Sequence, residues 1–323
     1  MKRIGNLYER VCEPDNIYLA YTKARKGKTK SYGVVQFEKE LERNLEEIHE
    51  KLKDGSYRTS EYQTFFIHDP KEREIYRLPF KDRVVQHAIM NVLEGVWTPI
   101  FISQSYSCIK GRGIHGALKT LRRDLKDENG TAYCLKMDIR KFYQSVDHEV
   151  LKLIVRRRIK DERLLLLLDG IIDSAPGIPI GNYLSQFFAN LYLSYFDHWL
   201  KEDKKVRYYY RYADDMVILS SDKKNLHALK DEIREYMRNV LKLELKDNWQ
   251  IFPVGKRGID FIGYVFYHDH VKMRKRIKKN FCRKAAILNK REITEKEKHC
   301  ALSSWLGWAR HCDSRNLIKK ILK

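Results

Sequence analysis

No run of about 18 consecutive apolar residues occurs in this 323-residue chain, so no segment reads as a membrane span. The opening stretch, MKRIGNLYERVCEPDN, has no apolar core of the kind a secretion signal carries, and the chain is expected in a reducing cytoplasm. No CxxC pair occurs either. The six cysteines (Cys12, Cys108, Cys134, Cys282, Cys300 and Cys312) are scattered and read as reduced, partly buried thiols. Two His-Cys pairs, His299-Cys300 and His311-Cys312, lie twelve residues apart, wider than zinc ligands are usually grouped, and read as helix packing. No internal repeat is evident. Acidic residues are in short supply: 43 Asp and Glu face 64 Lys and Arg, a formal charge of +21. Such a surplus points to a polyanionic partner, nucleic acid first and an anionic membrane surface second.

A hydrophobic content of 43% is ample for a buried core, and the length suits two domains or one large one with an appendage. The first thirty residues are polar and basic and read as an arm or loop. Residues 35–53 place Phe37, Leu41, Leu45, Ile48 and Leu52 at helical spacing. Residues 62–67 (YQTFFI) and 74–80 (EIYRLPF) read as a hairpin turning at Asp69-Pro70, and 83–96 as a buried helix. Residues 132–139 (AYCLKMDI) form a strand ending in a carboxylate. Helices follow at 148–159 and 162–172, a loop at 174–181 and a long helix at 182–200. Residues 206–220 (VRYYYRYADDMVILS) are two apolar runs flanking Ala213-Asp214-Asp215, hence a hairpin, and 225–241 is an amphipathic helix. Residues 271–291 hold ten Lys or Arg in twenty-one positions and no acid, and 301–322 read as a helix. Hairpins and helices mixed in this way predict an α+β fold with an antiparallel sheet.

Asp214-Asp215 is the most informative pair. Aspartate is disfavoured in strands and like charges repel, so two acids at a hairpin tip are either a solvated turn or a site. Asp138 also ends an apolar strand, seventy-six residues before Asp214. Two strands of one sheet would converge these acids into a cluster that is costly without cations. Carboxylate oxygens suit Mg²⁺, and two such ions can activate a hydroxyl and stabilise a leaving pyrophosphate. Phosphoryl transfer on nucleic acid needs both this acidic centre and the basic surround.

These segments resemble reverse transcriptases. Tyr212-Ala213-Asp214-Asp215 is similar to the family's YxDD box, and KMDIRKFYQSVDH (136–148) to its first catalytic motif. LPFKDRVVQHAI (78–89) and SYSCIKGRGIHGAL (105–118) resemble upstream fingers motifs, GIPIGNYLSQFFANLYL (177–193) the motif supporting the incoming base pair, and GIDFIGYV (258–265) the primer grip. The six stand in the family's order over about residues 60 to 270. Bacterial members are more similar than retroviral ones. Group II intron and retron enzymes usually carry Gln-Gly followed by Ser-Pro, where this chain has Ile180-Gly181 and Ser185-Gln186. That form resembles reverse transcriptases of diversity-generating retroelements, as do the modest length and the ending SSWLGWARHCDS.

The resemblance implies a right-hand polymerase fold. Its N-terminal extension and fingers would span residues 1–130, its palm 131–268 with a fingers insertion around 150–185, and a basic helical thumb 269–323. It implies an RNA-directed DNA polymerase, bacterial or phage-encoded, miscopying template adenines in mutagenic retrohoming. Two Mg²⁺ ions, or Mn²⁺ in their place, would be held by Asp138, Asp214 and Asp215 with the Ile139 carbonyl. Lys71 and Arg73 match positions that grip the triphosphate, although a solvated basic turn explains them nearly as well. Tyr143 matches the aromatic that lies under the sugar, against a core-packing alternative. Ile180, Gly181 and Gln186 border the incoming nucleotide, and Ile180 cannot make the hydrogen bond of the usual Gln. Lys110 and Arg112 in KGRG are candidate template contacts or plain surface charge. Lys272, Arg274, Lys275, Arg276, Lys278 and Lys279 would follow the template–primer duplex. In LKLELKDNWQIF (241–252) Lys246 is out of register with the family's proton-donating lysine, so that role stays unassigned. Implied partners are a template RNA, the RNA–DNA duplex, dNTPs and a small basic oligomeric accessory protein, with no membrane. The alternatives are a retron-like or phage-defence reverse transcriptase, or an RNA-binding protein on an inactive polymerase scaffold.

Overall fold

The structure, a computed structural model, describes residues 2–68 and 72–321. The chain divides into two compact units, each assembled from separate stretches of sequence. One comprises Met1–Ser103, Ile139–Asp203 and Glu235–Glu244, the other Gln104–Asp138, Lys204–Arg234 and Leu245–Lys323.

The first unit is mainly helical. Its centre is the helix Phe80–Trp97, which buries Val84, Val85, Ala88, Ile89, Leu93 and Trp97, and the helix Tyr183–His198, which buries Leu184, Phe188, Leu191, Tyr192 and Phe196. Burial on every side marks both as core helices, and Trp97 and Phe188 meet at 5.8 Å between ring centroids. The first thirty residues are not an arm: they form the helices Tyr8–Cys12 and Pro14–Arg25. Pro14 opens the second helix where its missing N–H costs nothing, and Ile17, Ala20, Tyr21 and Ala24 face the core. The helix expected over residues 35–53 is two, Tyr32–Glu38 and Leu41–Lys53. The break falls at Glu40, whose ψ of 50° leaves the helical region. Strands β1 (Gln63–Ile67) and β2 (Arg73–Arg77) form an antiparallel ribbon with Phe65 opposite Ile75, and β1 is exposed along its whole length. The expected Asp69-Pro70 turn lies outside the described residues. Asp147 and Asp161 cap the helices His148–Arg156 and Glu162–Ile172 by accepting from Val150 N and Leu164 N.

The second unit carries the main sheet. Strands β3 (Tyr133–Asp138), β4 (Tyr208–Tyr212), β5 (Asp215–Ser220) and β6 (Gln250–Pro253) lie in the order β4-β5-β3-β6, all antiparallel. The helix Ile114–Asp124 contributes Ala117, Leu118 and Leu121 to one core with Cys134, Tyr210, Val217 and Phe252. A second sheet follows, β7 (Ile259–Phe261), β8 (Tyr264–Phe266) and β9 (Val271–Met273). The helices Lys275–Leu288 and Glu295–Ala309 close over Phe281, Leu302 and Leu306. The single helix expected over 301–322 is in fact two, the second being Arg315–Ile321. Thr294 and Glu297 form a capping box that starts the longer helix ahead of its first apolar residue. All six cysteines are free, with Cys12 and Cys134 buried. Among the described residues no helix is long and apolar enough to cross a membrane.

Candidate active site

Side chains alternate along β3, so Lys136 and Asp138 point to the same face of the sheet. The antiparallel register sets Asp138 directly opposite Asp215 and Lys136 opposite Val217. Two carboxylates are thus brought side by side from positions far apart in sequence. Asp214 stands one residue earlier, in the turn between β4 and β5. That turn is tight because Ala213 adopts φ 54°, a left-handed conformation uncommon for a residue with a Cβ. The fully buried Arg211 steadies it, its guanidinium donating to the Ala213 carbonyl at 3.1 Å. The backbone of Arg211 is itself bound on both sides, donating to Gln104 O and accepting from Tyr106 N, each at 3.0 Å.

Crowding and burial work against ionisation here. Burial first, and then the charge of Asp138, push the Asp214 carboxyl up to about 6. Burial raises Asp215 too, with the neighbouring Lys136 ammonium opposing the rise. Two lysines supply positive charge. Lys136 Nζ donates to Asp215 Oδ1 at 2.7 Å, and the Lys246 ammonium donates to Asp138 Oδ1. The Lys246 backbone N–H also binds the Asp138 carbonyl at 2.8 Å, which fixes the base of that side chain beside the strand end.

Among the described residues, no group of three or more His, Cys, Asp or Glu is arranged to hold a metal ion. The donor chemistry nevertheless fits one. An oxygen-only set of half-buried carboxylates, already drawing two ammonium groups, is what hard divalent cations take.

The remaining expected residues are distributed as follows. Ile139, next to Asp138, is fully buried. Tyr143 is half-buried against Phe142, and its carbonyl accepts from Ile178 N at 2.8 Å. Ile180 is half-buried and its carbonyl accepts from Tyr76 N on β2 at 2.8 Å. Gly181 has φ 128°, and a Cβ there would lie 2.2 Å from the Tyr76 carbonyl oxygen. The loop 177–181 is therefore held between the turn bearing Tyr143 and the strand whose first residue is Arg73. Arg73 and Gln186 are exposed, and Lys71 lies outside the described residues. Lys110 is exposed, whereas Arg112 commits a donor to the Ser105 carbonyl at 3.0 Å. Lys275, Arg276, Lys278 and Lys279 are exposed on the helix Lys275–Leu288. Lys272 lies over the Tyr267 ring at 4.8 Å, and Arg274 pairs with Asp260 at 2.6 Å.

The sequence pattern left Lys136 and Arg211 out of this site and set Lys246 aside as out of register. Lys136 was accessible through the period-two rule, standing two before Asp138. Lys246 was noted but set aside on register alone, because its contact with Asp138 depends on how the chain returns after 108 residues. Arg211 was hidden in an apolar strand, where a buried cation is not the usual reading.

Comparison with known proteins identifies the family. Residues 67–266 match the family described as reverse transcriptase (RNA-dependent DNA polymerase). The chain belongs to that family and carries its RNA-directed DNA polymerase domain. It is similar to protein YkfC of Escherichia coli (strain K12), 27% identical over 267 residues, covering 68% of this chain and 70% of YkfC. It is also similar to the group II intron-encoded protein LtrA of Lactococcus lactis subsp. cremoris, 23% identical, covering 80% of this chain and 56% of LtrA. The chain thus spans little more than half the length of that intron protein. Among solved structures, telomerase from Candida tropicalis in complex with a fragment of telomeric RNA matches with a TM-score of 0.51. The identity is 14%, over 81% of this chain and 55% of that one. That likeness supports the fold, the α+β right-hand polymerase fold of reverse transcriptases.

Proposed function

We propose that this chain copies a template RNA into DNA using two Mg²⁺ ions, for which Mn²⁺ can substitute, held by Asp138, Asp214 and Asp215 with the Ile139 carbonyl. The observation that carries the reading is the register that sets Asp138 opposite Asp215, with Asp214 in the adjoining turn. When bound, the ions would activate the primer 3′-hydroxyl and offset charge on the leaving pyrophosphate. The protein's own residues do the rest. The buried Arg211 and the strand pairing orient the carboxylates before substrate arrives. Lys246 keeps an ammonium N–H against Asp138, where a proton is available beside the reacting phosphates. Arg73 on the ribbon grips the triphosphate together with Lys71, a role for Lys71 that rests on the sequence, and Tyr143 lies under the sugar. Ile180, Gly181 and Gln186 border the base pair. Lys110, Arg112 and the basic residues 272–279 run along template and duplex. Residues 1–130, 131–268 and 269–323 serve as fingers, palm and thumb.

The finer reading is an error-prone enzyme of a diversity-generating retroelement, working in the cytoplasm on a structured template RNA with a small basic accessory protein. Support comes from Ile180-Gly181 and Ser185-Gln186. An isoleucine offers no hydrogen bond near the incoming nucleotide, and each such bond is worth roughly 1 kcal/mol of discrimination.

Primer extension on an adenine-rich RNA template, with product sequencing, tests both levels. Wild type should extend with Mg²⁺ and misincorporate opposite adenine. Asp214→Asn should lose at least about a hundredfold in rate, and Ile180→Gln should reduce errors at adenines. Absence of product on every primed template would favour an inactive RNA-binding scaffold. An unchanged error spectrum in Ile180→Gln would remove that residue from the account of infidelity.

A further inference from the structure

Lys136 is the cation in this site that no catalytic role has absorbed. It is three-quarters buried, its side chain being 25% exposed, and it stands one pleat before Asp138 on the same face of β3. From there the ammonium crosses diagonally to the neighbouring strand and donates to Asp215 Oδ1 at 2.7 Å. It also lies 5.5 Å from the centroid of the Phe261 ring. Phe261 is fully buried in β7 and belongs to the core beneath the main sheet. One ammonium therefore pairs with a carboxylate and also lies over the face of an anchored aromatic ring.

That arrangement restricts the carboxylate. An exposed lysine holds its partner loosely, because four rotatable bonds and competing water keep both side chains moving. Here the lysine side chain is mostly buried and the ring limits where Nζ can settle, since a cation over an aromatic face is attracted to it. Asp215, 28% exposed, is thereby held through Oδ1 by a lysine that is itself mostly buried. The contact does not need Lys246, which binds the other strand's acid.

We propose that Lys136 is a positioning residue of the polymerase site, fixing the Asp215 carboxylate through an ammonium that also lies over the Phe261 ring, while supplying part of the positive charge that a divalent cation would otherwise provide. This rests on the reading that Asp215 is one of the metal-holding acids. Two consequences oppose each other, which makes them diagnostic. Removing the ammonium leaves Asp215 with more uncompensated charge, so a bare divalent cation binds more tightly. It also frees the carboxylate to rotate, so the bound ion is poorly placed and turnover slows.

The test uses the full chain without nucleic acid, titrated with Mn²⁺ and followed by the paramagnetic signal of the free ion, beside steady-state extension with dNTPs. Lys136→Met should bind Mn²⁺ several-fold more tightly and lose about tenfold in kcat, with KM for dNTP little changed. Lys136→Arg, which keeps the charge, should restore wild-type Mn²⁺ affinity and part of kcat, and stands in if the methionine variant fails to fold. Parallel losses of Mn²⁺ affinity and kcat would overturn the proposal in favour of a fold-stabilising role. Tighter Mn²⁺ with unchanged kcat, or no change in either, would overturn the positioning role. Asp215→Asn separates the two levels: if it alters neither Mn²⁺ binding nor kcat, the reading of the site fails rather than the account of Lys136.

Discussion

At the scale of single residues, His87 shows how environment sets behaviour. It is stacked on Tyr183 with ring centroids 4.0 Å apart, and its buried Nε2 has no hydrogen-bond partner among the described residues. Burial first, with Arg83, Lys23 and Lys28 adding repulsion, lowers its pKa to about 4. The unfolded chain holds this histidine near 6.5, so between the two values the unfolded state binds the extra proton. His87 therefore contributes stability that is fully present above about 6.5 and is lost as pH falls toward about 4, amounting to about 3 kcal/mol. Denaturation of wild type and His87→Phe across that window should show a shallower pH dependence in the variant, and parallel curves would refute the assignment. The reading of residues 83–96 as a buried helix covers this histidine, but not the ring it stacks on. That partner, Tyr183, lies ninety-six residues away. The acids were legible because charge at the end of an apolar strand contradicts local propensity. Lys246 was not, because its partner is set by tertiary return rather than by any local pattern.

At the scale of elements, the β1–β2 ribbon depends on the loop it docks against. A two-stranded ribbon is marginal by itself, and β1 is exposed throughout. Its anchor is the hydrogen bond from Tyr76 N to Ile180 O, made possible by the close approach of Gly181. Gly181→Ala would place a methyl where the Tyr76 carbonyl stands and would force φ 128° on a residue that resists it. A loss of about 2–3 kcal/mol in unfolding free energy is expected, together with faster proteolysis across residues 62–78. Unchanged melting and cleavage would show the ribbon to be held otherwise. Strands β1 to β5 were legible as short apolar or aromatic runs and the core helices as longer apolar ones, while β6 to β9 were not read as strands. The N-terminal helices were not, because Tyr8–Cys12 is too short for a periodic signal. Pro14 also reads as a break until its position at a helix start is known.

At the scale of the whole molecule, the charge of +21 gathers partly on one helix, Lys275–Leu288, whose apolar side is buried through Phe281, Ala285 and Leu288. Its exposed lysines form a surface without acids, and a run of that kind contacts phosphates without reading bases. Affinity for RNA should fall by roughly 10³-fold or more between about 50 and about 200 mM salt if six or more phosphates are neutralised. Neutralising Lys275, Lys278 and Lys279 together should flatten the slope in a filter-binding titration. A salt-independent affinity would exclude backbone contacts as the main source of binding.

The buried guanidinium beneath the Ala213 turn has a thermodynamic corollary. Its link to the Ala213 carbonyl, with the flanking bonds to Gln104 and Tyr106, is made as the chain folds. The configurational freedom of the hairpin tip is surrendered once per molecule instead of once per nucleotide added. A polymerase that ordered this tip anew at every step would face that entropic barrier along the full length of its product.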